Sequence, residues 1–505
     1  MILINRVLIK KIIDSKNKNK LKIGLCHGVF DVVHPGHINH FLFCKTKCDF
    51  LVVSVTSDKF VMKGPHRPIF TLQKRMEFLD SIKFVDLIIP SNYLNASYNI
   101  ELIKPQFYFK GQEYNLKKIS IDKNLVKEIN SLKKNKGKII FSDGFKSSSS
   151  MIVNNYSLNQ SNDQSNFLNA IKKKYNLEKF NYYIDLLKKI SPTVIGELII
   201  DDYVFCEAIG KSGKEPVLVI KELNNEKIIG GAAAIANNLS SFCTKVNLLT
   251  YIGEKKEDLK FIRDNLSKNI KKFFLKKKDS RTIIKKRYVE YINNTKILGV
   301  YDYNDKPLSA YEDKTFKSLI KKNAKSDVTV VSDFAHGLIS DNAAKFLSNN
   351  SKYLAINCQL NASNISHHSI NKYKKSNLVL INESELRHEL RDKDSGLDIL
   401  VEKLKQRIKT KKIIITKGKE GAFLYDIKNK NNKIHCPALT SKVVDKIGAG
   451  DAMFAMIAAC LSQKIPDDIS LFFGSIAAAY NVESIGNKNI INLEILRKTI
   501  KHILA

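Results

Sequence analysis

GVFDVVHPGH, residues 28–37, is the stretch whose reading decides the fold of the first part of this chain. Ahead of it, KIGLCHGVF (residues 22–30) has the character of a β-strand; behind it, the apolar-rich residues 38–44 have the character of a helix. A strand, a tight turn and a helix start together make an anion site, because backbone N–H groups at the turn and the helix N-terminus point at a phosphate. The imidazoles of His34 and His37 add donors where charge builds up in a displacement at phosphorus. The plainer alternative has the two histidines capping a surface turn.

Outward from this stretch, residues 21–155 alternate short apolar runs with amphipathic helices, the pattern of a parallel α/β sheet. DFLVVSVTSD (residues 49–58) reads as the second strand, and RMEFLDSIKFVDLIIP (residues 75–90) as a helix followed by the third. FYFKG (residues 107–111) and GKIIFSD (residues 137–143) read as the fourth and fifth. Residues 1–20 form a basic lead-in. Residues 156–190 begin polar, SLNQSNDQSNF, and continue as one basic amphipathic helix, AIKKKYNLEKFNYYIDLLKKI, which reads as a linker able to pack on one domain. Residues 191–505 open a second α/β unit with PTVIGELIIDD, whose strand candidates include TKVNLLTYIG, DVTVVSDF, KYLAIN, SNLVLIN and KKIIITKG. Two such units imply two active sites, since ligands of these sheets bind at the C-terminal ends of strands.

A chain of 505 residues is long enough for two to four domains. No stretch reaches the roughly 18 to 20 uninterrupted apolar residues of a membrane span, and MILINRVLIKK carries charge too early for a signal peptide, so a cytoplasmic protein is expected. The net charge of +34 is spread along the chain, nearly all of it lysine, and accompanies abundant Asn and Ile. It reads as compositional drift that leaves a field attracting phosphorylated substrates, with no cluster of basic and aromatic residues marking a nucleic-acid site. The eight cysteines (26, 44, 48, 206, 243, 358, 436 and 460) are scattered through apolar runs and read as small buried hydrophobes. Cys44 and Cys48 lie one helical turn apart with no second pair nearby, which does not make a zinc motif.

On GVFDVVHPGH, Lys45, KGPHRPIFTLQKR (residues 63–75) leading into IKFVDLIIP, KGQEY (residues 110–114) and SSSSMI (residues 147–152), the first unit resembles the cytidylyltransferase-like nucleotidyltransferases. The resemblance implies a Rossmann-like fold and attack of a sugar- or alcohol-phosphate on the α-phosphorus of a nucleoside triphosphate, ATP or CTP, with pyrophosphate leaving. It implies that His34 and His37 bridge the α-phosphate oxygens while Gly28, Val29 and Phe30 hold the nucleotide. Lys45 suits the incoming phosphate or the β/γ pair, and Ser147, Ser148 and Ser149 supply hydroxyl and N–H donors. Lys63, Arg75 and Lys110 complete the expected nucleotide and phosphate contacts, with a structural ion pair as the alternative for Arg75 and a solvated side chain for Lys63. His27 and His66 are expected to be bystanders.

The second unit carries DKIGAGDAMFA (residues 445–455). Gly448, Ala449 and Gly450 opening an apolar helix form an anion hole for a transferring phosphoryl group, and Asp451 at the helix start is placed to take a proton from a hydroxyl. The alternative is a helix start with glycines for close packing. With IGGAAAIANN (residues 229–238), SDFAHG (residues 332–337), NESE (residues 382–385) and TKGKEG (residues 416–421), the unit resembles the ribokinase-like (PfkB) carbohydrate kinases, implying a ribokinase-like α/β fold with a small β lid. Its opening, GELIIDDYVFCEAIGKSGKEPVLVIKE, looks most like the kinase part of the bacterial bifunctional heptose-7-phosphate kinases and heptose-1-phosphate nucleotidyltransferases, in which the kinase comes first; here it comes second.

On that resemblance Asp201, Gly230 and Gly231 face the sugar, Asn238 supports their loop, and Lys285 and Arg287 meet a sugar phosphate. Asn382 and Glu385 organise Mg²⁺, Glu385 through water, and Thr416 and Gly418 line the ATP. Three departures stand out: Ala234 replaces an expected Asn, Asn357-Cys358-Gln359 replaces an Asp-Pro-Lys-like stretch, and KILGVYDYND lacks an expected arginine. Losing polar partners changes which sugar a hydroxyl-reading site accepts. Ser332-Asp333 is read either as part of the site or as a strand-end cap, and His336, His367 and His368 are expected on surfaces. The leading expectation is a bifunctional enzyme of nucleotide-sugar synthesis acting on sugar phosphates and nucleoside triphosphates. A kinase for another sugar or polyol, and a basic nucleic-acid-binding or scaffold protein that keeps inactive folds, are the alternatives; the nucleotide donor, the sugar and any homo-oligomer stay open.

Overall fold

The computed structural model describes residues 2, 5–61, 67–111, 123–142, 161–323, 326–360, 364–365, 368–429, 433–440 and 443–504. The chain divides into two compact units, Met1–Asn159 and Gln160–Ala505. No helix among the described residues is long and apolar enough to cross a membrane.

The first unit is a Rossmann-like sheet of five parallel strands, β1 (Ile23–Gly28), β2 (Phe50–Thr56), β3 (Leu87–Ser91), β4 (Phe107–Gly111) and β5 (Lys138–Ser142), in the order β3-β2-β1-β4-β5. All seven residues of β2 are buried, as expected of a strand covered on both faces. Phe41 and Cys44 of the Pro35–Lys45 helix and Met76 and Leu79 of the Leu72–Asp80 helix fill one face. Ile9 and Ile13 of the Arg6–Lys18 helix, with Ile100, Ile103 and Leu132, fill the other. The basic lead-in is therefore largely a helix. Strand order reverses between β1 and β4, and the crevice beyond their C-terminal ends is where such sheets bind ligands.

The second unit has a nine-stranded sheet in the order β10-β9-β6-β13-β14-β15-β16-β17-β18 and a separate four-stranded sheet in the order β12-β11-β7-β8. The large sheet comprises β6 (Thr193–Gly196), β9 (Val246–Ile252), β10 (Ile270–Lys276), β13 (Thr329–Asp333), β14 (Leu354–Cys358), β15 (Leu378–Asn382), β16 (Lys412–Thr416), β17 (Ala422–Asp426) and β18 (Lys433–Cys436). The pairs from β10 to β16 are parallel, and β17 and β18 continue antiparallel at one edge. The small sheet, β7 (Leu198–Lys211), β8 (Leu218–Gly230), β11 (Ile283–Glu290) and β12 (Lys296–Asp302), is the lid.

The linker helix read as continuous is two helices, Asn162–Lys174 and Leu177–Leu187. The break falls at Asn176, whose side chain caps the second helix by accepting from the Lys179 N–H at 2.9 Å. Leu168, Ile171, Phe180, Ile184 and Leu187 from both helices are buried in the core of the second unit.

Candidate active sites

In the first unit, the chain leaves β1 at Gly28, passes through Phe30 at φ +49°, and enters the Pro35–Lys45 helix at His34, its N-cap. His34 Nδ1 accepts from the Gly36 N–H at 3.1 Å, and His37 Nδ1 accepts from the His34 N–H at 3.4 Å. With each Nδ1 an acceptor, each neutral ring carries its proton on Nε2. Two N–H donors thus come from rings whose centroids lie 4.0 Å apart. The Phe30 ring packs edge-on against His37, at 5.4 Å between centroids, and holds it in place. The capping alternative is what the structure shows, and the cap fixes tautomers that make each Nε2–H a donor.

Several expected contacts fall elsewhere. Lys45 stands at the last residue of the helix, about 15 Å along its axis from His34, and its Nζ is bound to Asp86 Oδ2 and the Asp49 carbonyl. Arg75 is fully buried, donating to the Phe70, Val29 and Thr56 carbonyls and pairing with Asp58. This is the structural alternative expected for Arg75, and it engages the backbone carbonyl of Val29, one of the residues expected to hold the nucleotide. The Gly28 carbonyl accepts from Thr56 Oγ1 at 3.3 Å. Lys110, the penultimate residue of β4, has its charge balanced by Glu128 at 3.2 Å. Lys63, Ser147, Ser148 and Ser149 lie outside the described residues, as does His66. His27 turns away to Ser54 Oγ at 3.0 Å, and burial together with the Lys110 charge lowers its pKa to about 4.

The sequence reading overlooked Asp31, inside the motif itself. Its Oδ1 accepts from the Ile69 and Phe70 N–H groups at 2.7 and 3.1 Å, and it pairs with Arg67 in a fully buried ion pair that fastens the following loop to the β1 turn. An Asp among apolar residues was the available signal.

In the second unit, a cavity of about 300 Å³ opens at the C-terminal ends of β14, β15 and β16. Asn357, Asn382 and Thr416 enter it from those strand ends; Asp201, Lys285 and Arg287 come from β7 and β11 of the lid. Gly448, Gly450 and Asp451 enter from the start of the Ala449–Ser462 helix. Gly448 has φ +91°, and an added Cβ would overlap the Asn487 side-chain oxygen, so glycine is required there. Gly450 has open space in front of it. Ala449, between them, starts the helix.

Asp451 is buried, and its Oδ1 accepts from Gln359 Nε2 at 3.2 Å. Burial, with the nearby Asp201 charge, pushes its pKa up to about 7 while the Gln359 hydrogen bond pulls the other way. A carboxylate that gains and loses a proton near neutrality suits general-base work. Asp201 is paired with Arg287. Lys285 lies over the rings of Tyr301 and Phe334, 5.3 and 5.2 Å from their centroids, with its pKa lowered by burial. Gly230 and Gly231 pass where a Cβ would strike Asp201 and the Glu197 carbonyl.

Asn382 and Glu385 form a reciprocal helix cap: Asn382 Oδ1 accepts from the Glu385 N–H at 2.8 Å, and Glu385 Oε2 accepts from the Asn382 N–H at 3.0 Å. Burial raises the Glu385 carboxyl to about 7. Both residues line the cavity. Gly418, at φ +53°, sits in the turn after β16 and is not among the cavity-lining residues.

Asn238 lies two turns into the Gly231–Ser240 helix with its amide on the Ala234 carbonyl, 2.9 Å, so it stabilises the helix and does not reach the cavity. His336 and His368 are buried, not on the surface. Burial and the charges of Lys285 and Lys277 hold His336 near pKa 3, uncharged. His367 lies outside the described residues. Asp333 is buried, bound to Lys372 Nζ at 2.6 Å and Tyr373 Oη at 2.7 Å. Glu197, which sequence reading missed, accepts from the N–H groups of Phe334, His336 and Leu338 and so shapes the loop after β13.

This arrangement coincides with two families. The pfkB family of carbohydrate kinases matches residues 190–493, and the chain belongs to it; the cytidylyltransferase-like family matches residues 25–155, ahead of the kinase unit. The chain is 29% identical over 300 residues to the bifunctional protein HldE of Campylobacter jejuni, covering 59% of this chain and 62% of that protein. It is 28% identical over 309 residues to the bifunctional protein HldE of Helicobacter pylori, covering 60% and 64%. It thus spans less than two thirds of the length of these relatives. Phosphofructokinase-2 from Escherichia coli shares the fold at a TM-score of 0.51 and 14% identity, over 62% of this chain and 98% of that one.

Proposed function

We propose that this chain is an enzyme with two activities in nucleotide-sugar synthesis. Its kinase unit transfers the γ-phosphoryl of Mg·ATP to the anomeric hydroxyl of a sugar phosphate resembling heptose 7-phosphate. Its first unit then joins a nucleoside monophosphate from ATP or CTP to the sugar 1-phosphate and releases pyrophosphate. The nucleotidyl-transfer site consumes the kind of group the kinase site makes, once a separate phosphatase has removed the other phosphate.

The observation that carries this reading is the convergence of Asp451, the Gly448–Gly450 turn and the cations Lys285 and Arg287 on one cavity. Asp451 takes the proton of the attacking hydroxyl, the glycine turn and helix start receive the charge of the transferring phosphoryl group, and Lys285 faces the substrate's own phosphate. Asn382 and Glu385, on the cavity wall, would hold the hydrated Mg²⁺ that arrives with ATP, which would neutralise charge on the transferring phosphates. In the first unit the two Nε2–H donors of His34 and His37 meet the α-phosphate as negative charge accumulates on it. The bifunctional relatives support pairing the two activities in one chain. The work is placed in the cytoplasm, where phosphorylated sugars and nucleotides are available.

The test is incubation of the full chain with a panel of sugar phosphates, Mg·ATP and CTP, with mass detection of bisphosphate and nucleotide-sugar products. Turnover of heptose 7-phosphate supports the reading. Turnover of other sugars or polyols alone moves the kinase to a different substrate, as the replacements at Ala234 and Asn357 allow.

A further inference from the structure

Cys26, His40 and Cys44 meet inside the first unit, and no role in nucleotidyl transfer accounts for them. Cys26 comes from β1; His40 and Cys44 are one turn apart on the Pro35–Lys45 helix, so their side chains share the face that packs on β1. Cys26 Sγ lies 3.6 Å from Cys44 Sγ, and His40 Nε2 lies 3.5 Å from Cys26 Sγ and 3.7 Å from Cys44 Sγ. All three ligand atoms fall within 4.8 Å of one another.

A tetrahedral zinc ion with Zn–S near 2.3 Å and Zn–N near 2.05 Å requires sulfur–sulfur edges of about 3.8 Å and sulfur–nitrogen edges of about 3.6 Å. The three observed separations match those edges to about 0.2 Å. His40 Nδ1 lies 2.7 Å from Ser142 Oγ at the end of β5, the outer-shell partner that orients a metal-bound imidazole through its other nitrogen. Both sulfurs are buried and the imidazole is half-buried, so the face is apolar around a soft donor set.

From this geometry we propose that Cys26, His40 and Cys44 form a binding site for a zinc-class divalent ion. The fourth coordination position belongs to a small exogenous ligand such as water. Each thiol releases its proton to solvent as the ion binds, leaving two thiolates on the metal. The ion ties β1 to the helix whose first turn carries His34 and His37, with Ser142 linking the site to β5. Its role is to hold that helix in place. The spacing of Cys44 and Cys48 concealed the site in the sequence, because the second sulfur comes from a strand 18 residues upstream of Cys44 and not from the neighbouring turn.

Cobalt(II) is the probe. The full chain, reduced and stripped of metal with a chelator, is titrated with Co²⁺ and followed by absorption. The expected result is saturation at one equivalent, with a thiolate-to-cobalt charge-transfer band and the strong visible bands of tetrahedral cobalt, all displaced by Zn²⁺. Cys44→Ser and His40→Gln weaken binding at least tenfold, whereas Cys460→Ser, a buried cysteine of the other unit, leaves it unchanged. One equivalent of Zn²⁺ also raises the melting temperature of the wild-type chain. Absence of a sulfur charge-transfer band in the wild-type chain means that the three groups are only hydrogen-bonded core side chains, and the proposal fails. It fails equally if a chain with Cys26 and Cys44 both changed to Ser keeps the band. The wild-type titration decides the matter even where a variant does not fold.

Discussion

Gln359 donates a hydrogen bond from Nε2 to Oδ1 of Asp451 at 3.2 Å, across the cavity between the end of β14 and the start of the Ala449–Ser462 helix. This bond stabilises the ionised carboxylate against the burial that raises its pKa to about 7. Replacing Gln359 with Leu removes it. The acid limb of the kinase pH–rate profile then moves to higher pH, by about one pH unit for a hydrogen bond worth about 1.4 kcal/mol. Rates recover at alkaline pH, which the loss of a purely structural contact would not produce.

The same raised carboxyls set a stability trend. Asp451 and Glu385 hold their protons up to about pH 7 in the folded chain, whereas ordinary carboxyls titrate near pH 4. Between these values the folded state binds more protons than the unfolded one, so stability falls as pH rises through that window. Asp451→Asn removes one of the two penalties. Calorimetry should show its melting temperature above wild type at pH 8, by about 2–4 °C for each kcal/mol relieved, and equal to wild type at pH 4.

Lys285 is a buried cation lying over aromatic rings. Lys285→Met keeps the length and packing of the side chain and removes the charge. The KM for the sugar phosphate should rise by about 10- to 100-fold, a charge-assisted contact of about 1.5–3 kcal/mol, while the KM for ATP changes less than about twofold. Stability should not fall, because a desolvated ammonium is lost.

Two basic residues of the first unit separate structure from catalysis. Lys45→Ala should leave nucleotidyl transfer within about twofold of wild type, since Lys45 is bound to Asp86 at the far end of its helix. Arg75→Lys should lower the melting temperature of the first unit. A lysine cannot reproduce the fork that holds three carbonyls and Asp58, and losing part of a buried network costs about 3 kcal/mol.

Strand positions and motif placement were legible in the sequence because buried strands such as β2 are continuous apolar runs and the glycine turns have few alternative uses; the order of the strands across each sheet was not. The GAGD turn is an example: Gly448 occupies a left-handed conformation that only glycine takes freely. Side chains that act across long sequence separations were not legible. Lys45 and Arg75 look like phosphate ligands until Asp86 and the Val29 carbonyl are seen beside them, and Glu197 and Gln359 gain meaning only once the sheet brings their partners near. His336 and His368 were placed on the surface because the groups they pack on, the Tyr303 ring for His336 and the Asp333 carbonyl for His368, lie about 30 to 35 residues away in the chain.

The presence of two independent chemistries on one chain is tested most directly by measuring both product types on Asp451→Asn and His37→Ala. Asp451→Asn should abolish formation of the sugar bisphosphate and leave nucleotidyl transfer from supplied sugar 1-phosphate intact. His37→Ala should do the reverse, lowering nucleotidyl transfer by about 10²- to 10³-fold with bisphosphate formation unchanged. A folded Asp451→Asn chain that still makes the bisphosphate at the wild-type rate, or a folded His37→Ala chain with full nucleotidyl transfer, would contradict it.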